Sequence, residues 1–180
     1  ISDSMMEVAR TKFLPHEQVT FQVANAVALP FDDRAFDTVV CQFGVMFFDD
    51  PAAAFAHMRG ALKPGGRLAF VCWRTAAEND WVRLPTGAIR GIVTPPPPPD
   101  PEAPGPFSFG DRGRVERILA DAGFVDIALA PFDHLVPFGR GATRAAALDD
   151  AVEMAFQVGP LSRALADQPD TIRAQAADAV

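Results

Sequence analysis

A chain of 180 residues, 49% of them apolar, has side chains for one sizeable hydrophobic core, hence about one domain. Its net charge of −7 and isoelectric point near 4.8 exclude a nucleic-acid backbone as the expected partner, because phosphate binding needs a basic face. No apolar run reaches the roughly 18 residues that span a bilayer, and no cationic stretch precedes an apolar core, so a cytoplasmic protein without stable membrane insertion is expected.

The first clear element is Phe36-Asp37-Thr38-Val39-Val40-Cys41-Gln42-Phe43, nearly all apolar or β-branched after its acid. That composition predicts a strand buried on both faces by helices, not an exposed edge hairpin. Asp49-Asp50-Pro51 follows, with cap candidates and then proline at the first helical position, where its missing N–H costs nothing. Ala54, Phe55, Met58 and Leu62 recur at helical spacing and predict one face packed on a sheet. Lys63-Pro64-Gly65-Gly66 ends this helix with a cation and with glycines free to take positive φ, and Arg67 to Trp73 reads as the next inner strand. Together these make a βαβ unit, and in such sheets small ligands bind beyond the carboxyl ends of the strands. The site is therefore expected near Cys41 to Phe43. Cys41 and Cys72 sit among apolar neighbours and read as small core residues in a reducing compartment, not as a disulfide or metal pair.

Further on, Asp80 is expected to cap a helix from Trp81 to about Ile92, with Val82, Leu84 and Ile89 inward. Pro95 to Pro99 opens a stiff, extended stretch reaching Pro106, read as a rim over the site or as a solvated connection. Phe107 and Phe109 can fold back onto the core. Asp111 through Ala122 predicts a helix capped by Asp111 and ended by Gly123, with Val115, Ile118 and Leu119 inward, then a strand over Phe124 to Leu129. Thr143 to Val158, Leu161 to Ala166 and the stretch from Thr171 onward are Ala-rich and amphipathic, and predict helices of a cap. The three histidines, His16, His57 and His134, show neither metal nor triad spacing and read as surface or satisfied side chains. His134, in an expected late strand over Pro131 to His134, comes nearest to a base, and no role is assigned to it.

The pattern LPF-x-D-x-x-FD-x-V-x-x-x-F from Leu29, the acidic-Pro helix start and LKPGGRL from Leu62 resemble the core of the class I S-adenosylmethionine-dependent methyltransferases. The likeness is to the small-molecule branch that includes the ubiquinone/menaquinone type. It spans Ile1 to Trp73 and returns in Ile118-Leu119-Ala120-Asp121-Ala122-Gly123-Phe124, similar to the family's late L-x-x-AGF element. It implies a Rossmann-like, doubly wound α/β fold with a mostly parallel seven-stranded sheet and a helical cap. Ile1 to Arg10 is similar to the segment just after the family's ribose-binding acid. The Gly-rich first loop and a last antiparallel strand are not seen, so the chain reads as a fragment. Its divisions would be a partial cofactor-binding core over 1–73, a helical and Pro-rich insertion over 74–110, the rest of the core over 111–130 and a helical cap over 131–180.

By matched position, the resemblance implies that Ile1, Ser2 and Met5 flank the adenosine of S-adenosylmethionine, Met5 with a soft contact to the purine. It places Asn25 where the family has an acid that accepts from the adenine amino group, and the Ala26 N–H at a ring nitrogen. Asn25 can accept one such bond without charge. Cys41, Gln42 and Phe43 would turn their backbone to the sulfonium and methyl group, and Met46, Phe47 and Trp73 would line an apolar mouth for a small-molecule acceptor. No catalytic residue and no metal is expected, since the cofactor brings its own leaving group. Two other readings stand beside this one: a non-catalytic relative that keeps the fold as a binding or assembly module, and a nicotinamide-dependent oxidoreductase. The second lacks the usual tyrosine, since the chain has none.

Overall fold

The computed structural model describes residues 3–13, 18–28, 31–94, 97 and 100–180. Ile1, Ser2, His16, the Leu29-Pro30 start of the LPF pattern and all of the Pro95–Pro99 run except Pro97 lie outside the described residues. The chain divides into two compact units built from interleaved segments: Ile1–Cys41, Asp50–Phe70 and Glu116–Ile127 in the first, and Gln42–Asp49, Val71–Val115 and Ala128–Val180 in the second.

The first unit holds helix α1 (Asp3–Phe13), most of strand β1 (Phe36–Gln42), helix α2 (Pro51–Ala61) and most of strand β2 (Leu62–Val71). α2 begins where its sequence requires. Asp50 Oδ1 accepts from the Ala53 N–H at 2.9 Å, and Pro51 occupies the first turn. Ala54, Phe55, Met58 and Leu62 are buried as their spacing predicts, and the Phe55 ring meets Phe70 of β2 at 5.6 Å between centroids. Each such burial removes apolar surface worth about 1.5–3 kcal/mol for a large side chain. β2 starts at Leu62, directly after α2, so the expected helix end over Lys63 to Gly66 lies inside the strand instead, where Gly65 takes φ +78. A Cβ on Gly66 would lie 2.9 Å from the Lys63 carbonyl oxygen and 3.2 Å from that of Asp37, so the glycine at this point of β2 lets neighbouring backbones close up. Lys63 Nζ reaches Asp37 Oδ1 at 2.8 Å, an exposed pair across the two strands.

β1 and β2 are hydrogen-bonded neighbours in a two-stranded sheet, joined through α2 as a βαβ unit of an α/β fold. The expected burial of β1 on both faces is corrected: most of the strand is exposed, with Val40 75% accessible. A strand loses both faces to the core only when helices cover both sides of its sheet. Two further corrections concern strands. Phe124 to Leu129 is not a strand: its backbone finds no ladder, Asp126 turns to φ 54, and Val125 stands 81% exposed. Pro131 to His134 is likewise irregular. Helix α4 (Arg112–Asp121) ends as expected, with Gly123 at φ +85 and the Phe124 N–H on the Leu119 carbonyl.

The second unit is mainly helical. Helix α3 (Asp80–Ala88) stops four residues short of the expected Ile92, and Leu84, expected inside, is 57% exposed. Val82 and Ile89 are seven apart and share a face, whereas Leu84 is two residues from Val82 and points the other way. Helices α5 (Arg144–Gln157), α6 (Pro160–Leu165) and α7 (Asp170–Ala179) match the predicted tail, with the Thr143 hydroxyl accepting from the Ala146 N–H at the start of α5. Ala155, Leu161, Leu165 and Ala176 from these helices bury with Ile89 and Val93 as one cluster.

Candidate functional site

The backbone leaves β1 through an unusual residue. Phe43 has φ +55, a left-handed conformation that costs most side chains energy, while Gly44 beside it has an ordinary φ of −98. The Phe43 N–H donates to the Val71 carbonyl at 3.0 Å, and its ring lies on Trp73, 4.4 Å between centroids and 16° from parallel. A single 3-10 turn follows over Val45–Phe47, and Val45 and Met46 are fully buried. Met46 Sδ accepts from the Trp73 N–H at 3.4 Å. Its carbonyl accepts from the Gly105 N–H at 2.9 Å and from Ser108 Oγ at 2.8 Å. Phe47, the next residue, is exposed.

Trp73 continues into an aromatic chain. It meets Trp81 at 5.4 Å, and Trp81 in turn meets Phe107 and Phe138, each at 6.2 Å. A Cβ on Gly159 would come 2.8 Å from the Trp81 ring, so the start of α6 presses on it. Buried Trp81 Nε1 has no hydrogen-bond partner among the described residues. Arg114 braces the adjoining loop, donating from Nη1 to the Ser108 carbonyl at 2.5 Å and from Nη2 to that of Glu102 at 3.1 Å, with its guanidinium 5.8 Å above the Phe109 ring. Past the strand, Arg74 pairs with Asp133 and, at 3.7 Å, with Glu78.

The Thr75 hydroxyl donates to Glu78 Oε2 at 2.7 Å, which holds the Glu78 carboxyl below its ordinary value, and Arg74 adds to the effect. Burial pushes the Cys72 thiol up. Both cysteines are free and half-buried, less enclosed than expected. His134 stacks on Phe132, 6.0 Å between ring centroids, and His57 lies 5.7 Å from Phe31.

Among the residues singled out for the adenosine end, Met5 lies on α1 with an exposed side chain, and Asn25 and Ala26 lie in an exposed turn. Asn25 Oδ1 accepts from the Val27 N–H at 3.1 Å and its carbonyl from the Ala28 N–H at 3.0 Å, a local Asx arrangement. An amide oxygen has a second lone pair, so Asn25 retains the capacity to accept an adenine amino group. Gln42 is exposed and Cys41 half-buried at the end of β1. Phe43, Met46 and Trp73 are in direct contact. The sequence did not point to Trp81 or Phe138, because aromatics scattered between positions 43 and 138 share no local spacing. No group of three or more His, Cys, Asp or Glu side chains among the described residues could hold a metal ion. No helix among them is long and apolar enough to cross a membrane.

These elements define an α/β fold. A solved structure from Bacillus halodurans C-125, assigned as a methyltransferase, aligns over 97% of this chain and 70% of its own with a TM-score of 0.56 at 22% identity, a likeness of fold. Residues 1–70 match the methyltransferase domain family. Among curated relatives, the ubiquinone/menaquinone biosynthesis C-methyltransferase UbiE of Shewanella frigidimarina is 44% identical over 71 residues, 38% of this chain and 28% of the relative. That of Hahella chejuensis is 42% identical over the same shares. The chain thus spans 28% of the length of these relatives.

Proposed function

We propose that this protein transfers the methyl group of S-adenosylmethionine to a small-molecule acceptor. The match of residues 1–70 to the methyltransferase domain carries the reading. When bound, S-adenosylmethionine supplies a methyl group on a sulfonium leaving group, which leaves orientation and exclusion of water to the protein. Asn25 accepts from the adenine amino group, the Ala26 N–H meets a ring nitrogen, Met5 lies against the purine, and Ile1 and Ser2 flank the adenosine. The backbone of Cys41, Gln42 and Phe43 faces the sulfonium and methyl group. Phe47 and Trp73 line the acceptor side, with buried Met46 holding their turn from within. A net charge of −7 favours a small metabolite over a nucleic acid, and the site of action is the cytoplasm. The curated relatives are named for C-methylation in ubiquinone and menaquinone biosynthesis, which makes a quinone-precursor ring carbon the first acceptor to assay.

Calorimetric titration of S-adenosylhomocysteine into the intact protein tests this reading. Micromolar binding is expected, weakened about fivefold in Asn25→Ala, which is what a net hydrogen bond near 1 kcal/mol is worth. Neither heat nor thermal stabilisation would favour the second reading, a fold kept for binding or assembly. Its supporting observation is Asn25 itself, uncharged where the family carries an acid and already engaged with Val27.

A further inference from the structure

We propose that Phe43 is a positioning residue. Its ring, held on Trp73, keeps the left-handed turn that sets the backbone of Gln42 to Gly44, the stretch which the proposed function, on which this inference rests, assigns to the methyl-donor end. The positive φ falls on the aromatic residue although a glycine follows immediately and has φ −98. A glycine adopts that conformation without a steric penalty, so the surroundings must hold Phe43 in it, and such residues concentrate at functional sites.

Trp73 grips the turn on both sides. Its ring stacks on Phe43 at 4.4 Å and its N–H donates to Met46 Sδ at 3.4 Å. Downstream, the carbonyl of Met46 is anchored by the Gly105 N–H and Ser108 Oγ. Upstream, the Phe43 N–H is fixed on the Val71 carbonyl. The turn is therefore pinned at Val71, at Met46 and, between them, by the Phe43 ring. Without that ring, rotation about φ of residue 43 is free to relax toward the extended region, carrying the Gln42 and Phe43 peptide groups out of register.

Three substitutions separate positioning from packing. Phe43→Gly removes both ring and strain, Phe43→Ala removes the ring and retains the strained backbone, and Phe43→Tyr keeps the stack. Thermal melting and S-adenosylhomocysteine titration are measured for each. Both tryptophans of the chain belong to this aromatic chain, so intrinsic fluorescence follows the same region during the titration. Phe43→Tyr is expected to bind within twofold of wild type. Phe43→Gly is expected to melt at or above Phe43→Ala and yet to bind at least tenfold more weakly than wild type.

A folded Phe43→Gly that binds within twofold of wild type overturns the proposal. If Phe43→Gly does not fold, Trp73→Leu decides: a folded protein with at least tenfold weaker binding supports positioning, and one with unchanged binding overturns it. Absence of binding by the wild type overturns the functional reading and this inference with it, whereas wild-type binding with indifferent variants overturns the inference alone.

Discussion

Around Thr75, side chain and backbone both turn toward one carboxylate: Glu78 Oε2 accepts from the hydroxyl at 2.7 Å and from the Thr75 N–H at 3.2 Å. These bonds favour the charged form, so Glu78 titrates below its ordinary value of 4.5 in the folded protein. The folded state thus binds this proton less readily than the unfolded chain. The contribution to stability is complete above the unfolded pKa and is lost as the pH falls through the lower, folded pKa. Glu78→Gln is expected to lower the melting temperature slightly at pH 7 and to converge on wild type as the pH drops below 4.5. A gap that stays constant down to acid pH would contradict this account. Asn25 and Phe43 mark the limits of legibility at this scale. The Asx arrangement at Asn25 closes within two residues of chain, whereas nothing in Phe43-Gly44 marks the aromatic as the residue with positive φ.

Helical elements follow the sequence closely. Asp50-Pro51 starts α2, the spacing of Ala54, Phe55 and Met58 orients it, and the Ala-rich tail becomes α5 to α7. In α3, Leu84 faces solvent where its spacing predicts an inward side chain, and a pair of substitutions measures the difference. Leu165, on α6, is 1% exposed, and Leu165→Ala is expected to cost about 2–5 kcal/mol through the lost burial and the cavity left behind. Leu84→Ala should change stability by no more than about 0.5 kcal/mol, as exposed substitutions do. Denaturant unfolding of both variants checks the pair, and equal losses would place Leu84 back in a core.

On the scale of the molecule, each unit has its own structure: a βαβ segment with α1 in one, and the helices α3 and α5 to α7 around a shared apolar cluster in the other. In the first, β1 presents Phe36 and Val40 to solvent, and exposed apolar strands invite pairing with other chains. Concentration-dependent self-association is expected in size-exclusion chromatography. Val40→Lys should reduce it with a stability change within about 0.5 kcal/mol. A wild type that remains monomeric at every concentration would remove the basis for this expectation.

From the sequence alone came the βαβ unit, the start and face of α2, the glycine-ended α4, the tail helices and the likeness to methyltransferases over Ile1 to Trp73, of which residues 1–70 match the methyltransferase domain. All of these rest on signals confined to a few neighbouring residues, because helix hydrogen bonds, caps and turns close within a turn or two of chain. Tertiary structure alone decided that the strand-like stretches 124–129 and 131–134 go unpaired, that β1 stays exposed, that Phe43, Trp73, Trp81, Phe107 and Phe138 meet, and that Phe43 rather than Gly44 takes the left-handed turn. A strand acquires its partner, and a strained residue its support, from segments distant in the chain, so these outcomes depend on which surfaces come together as the protein folds.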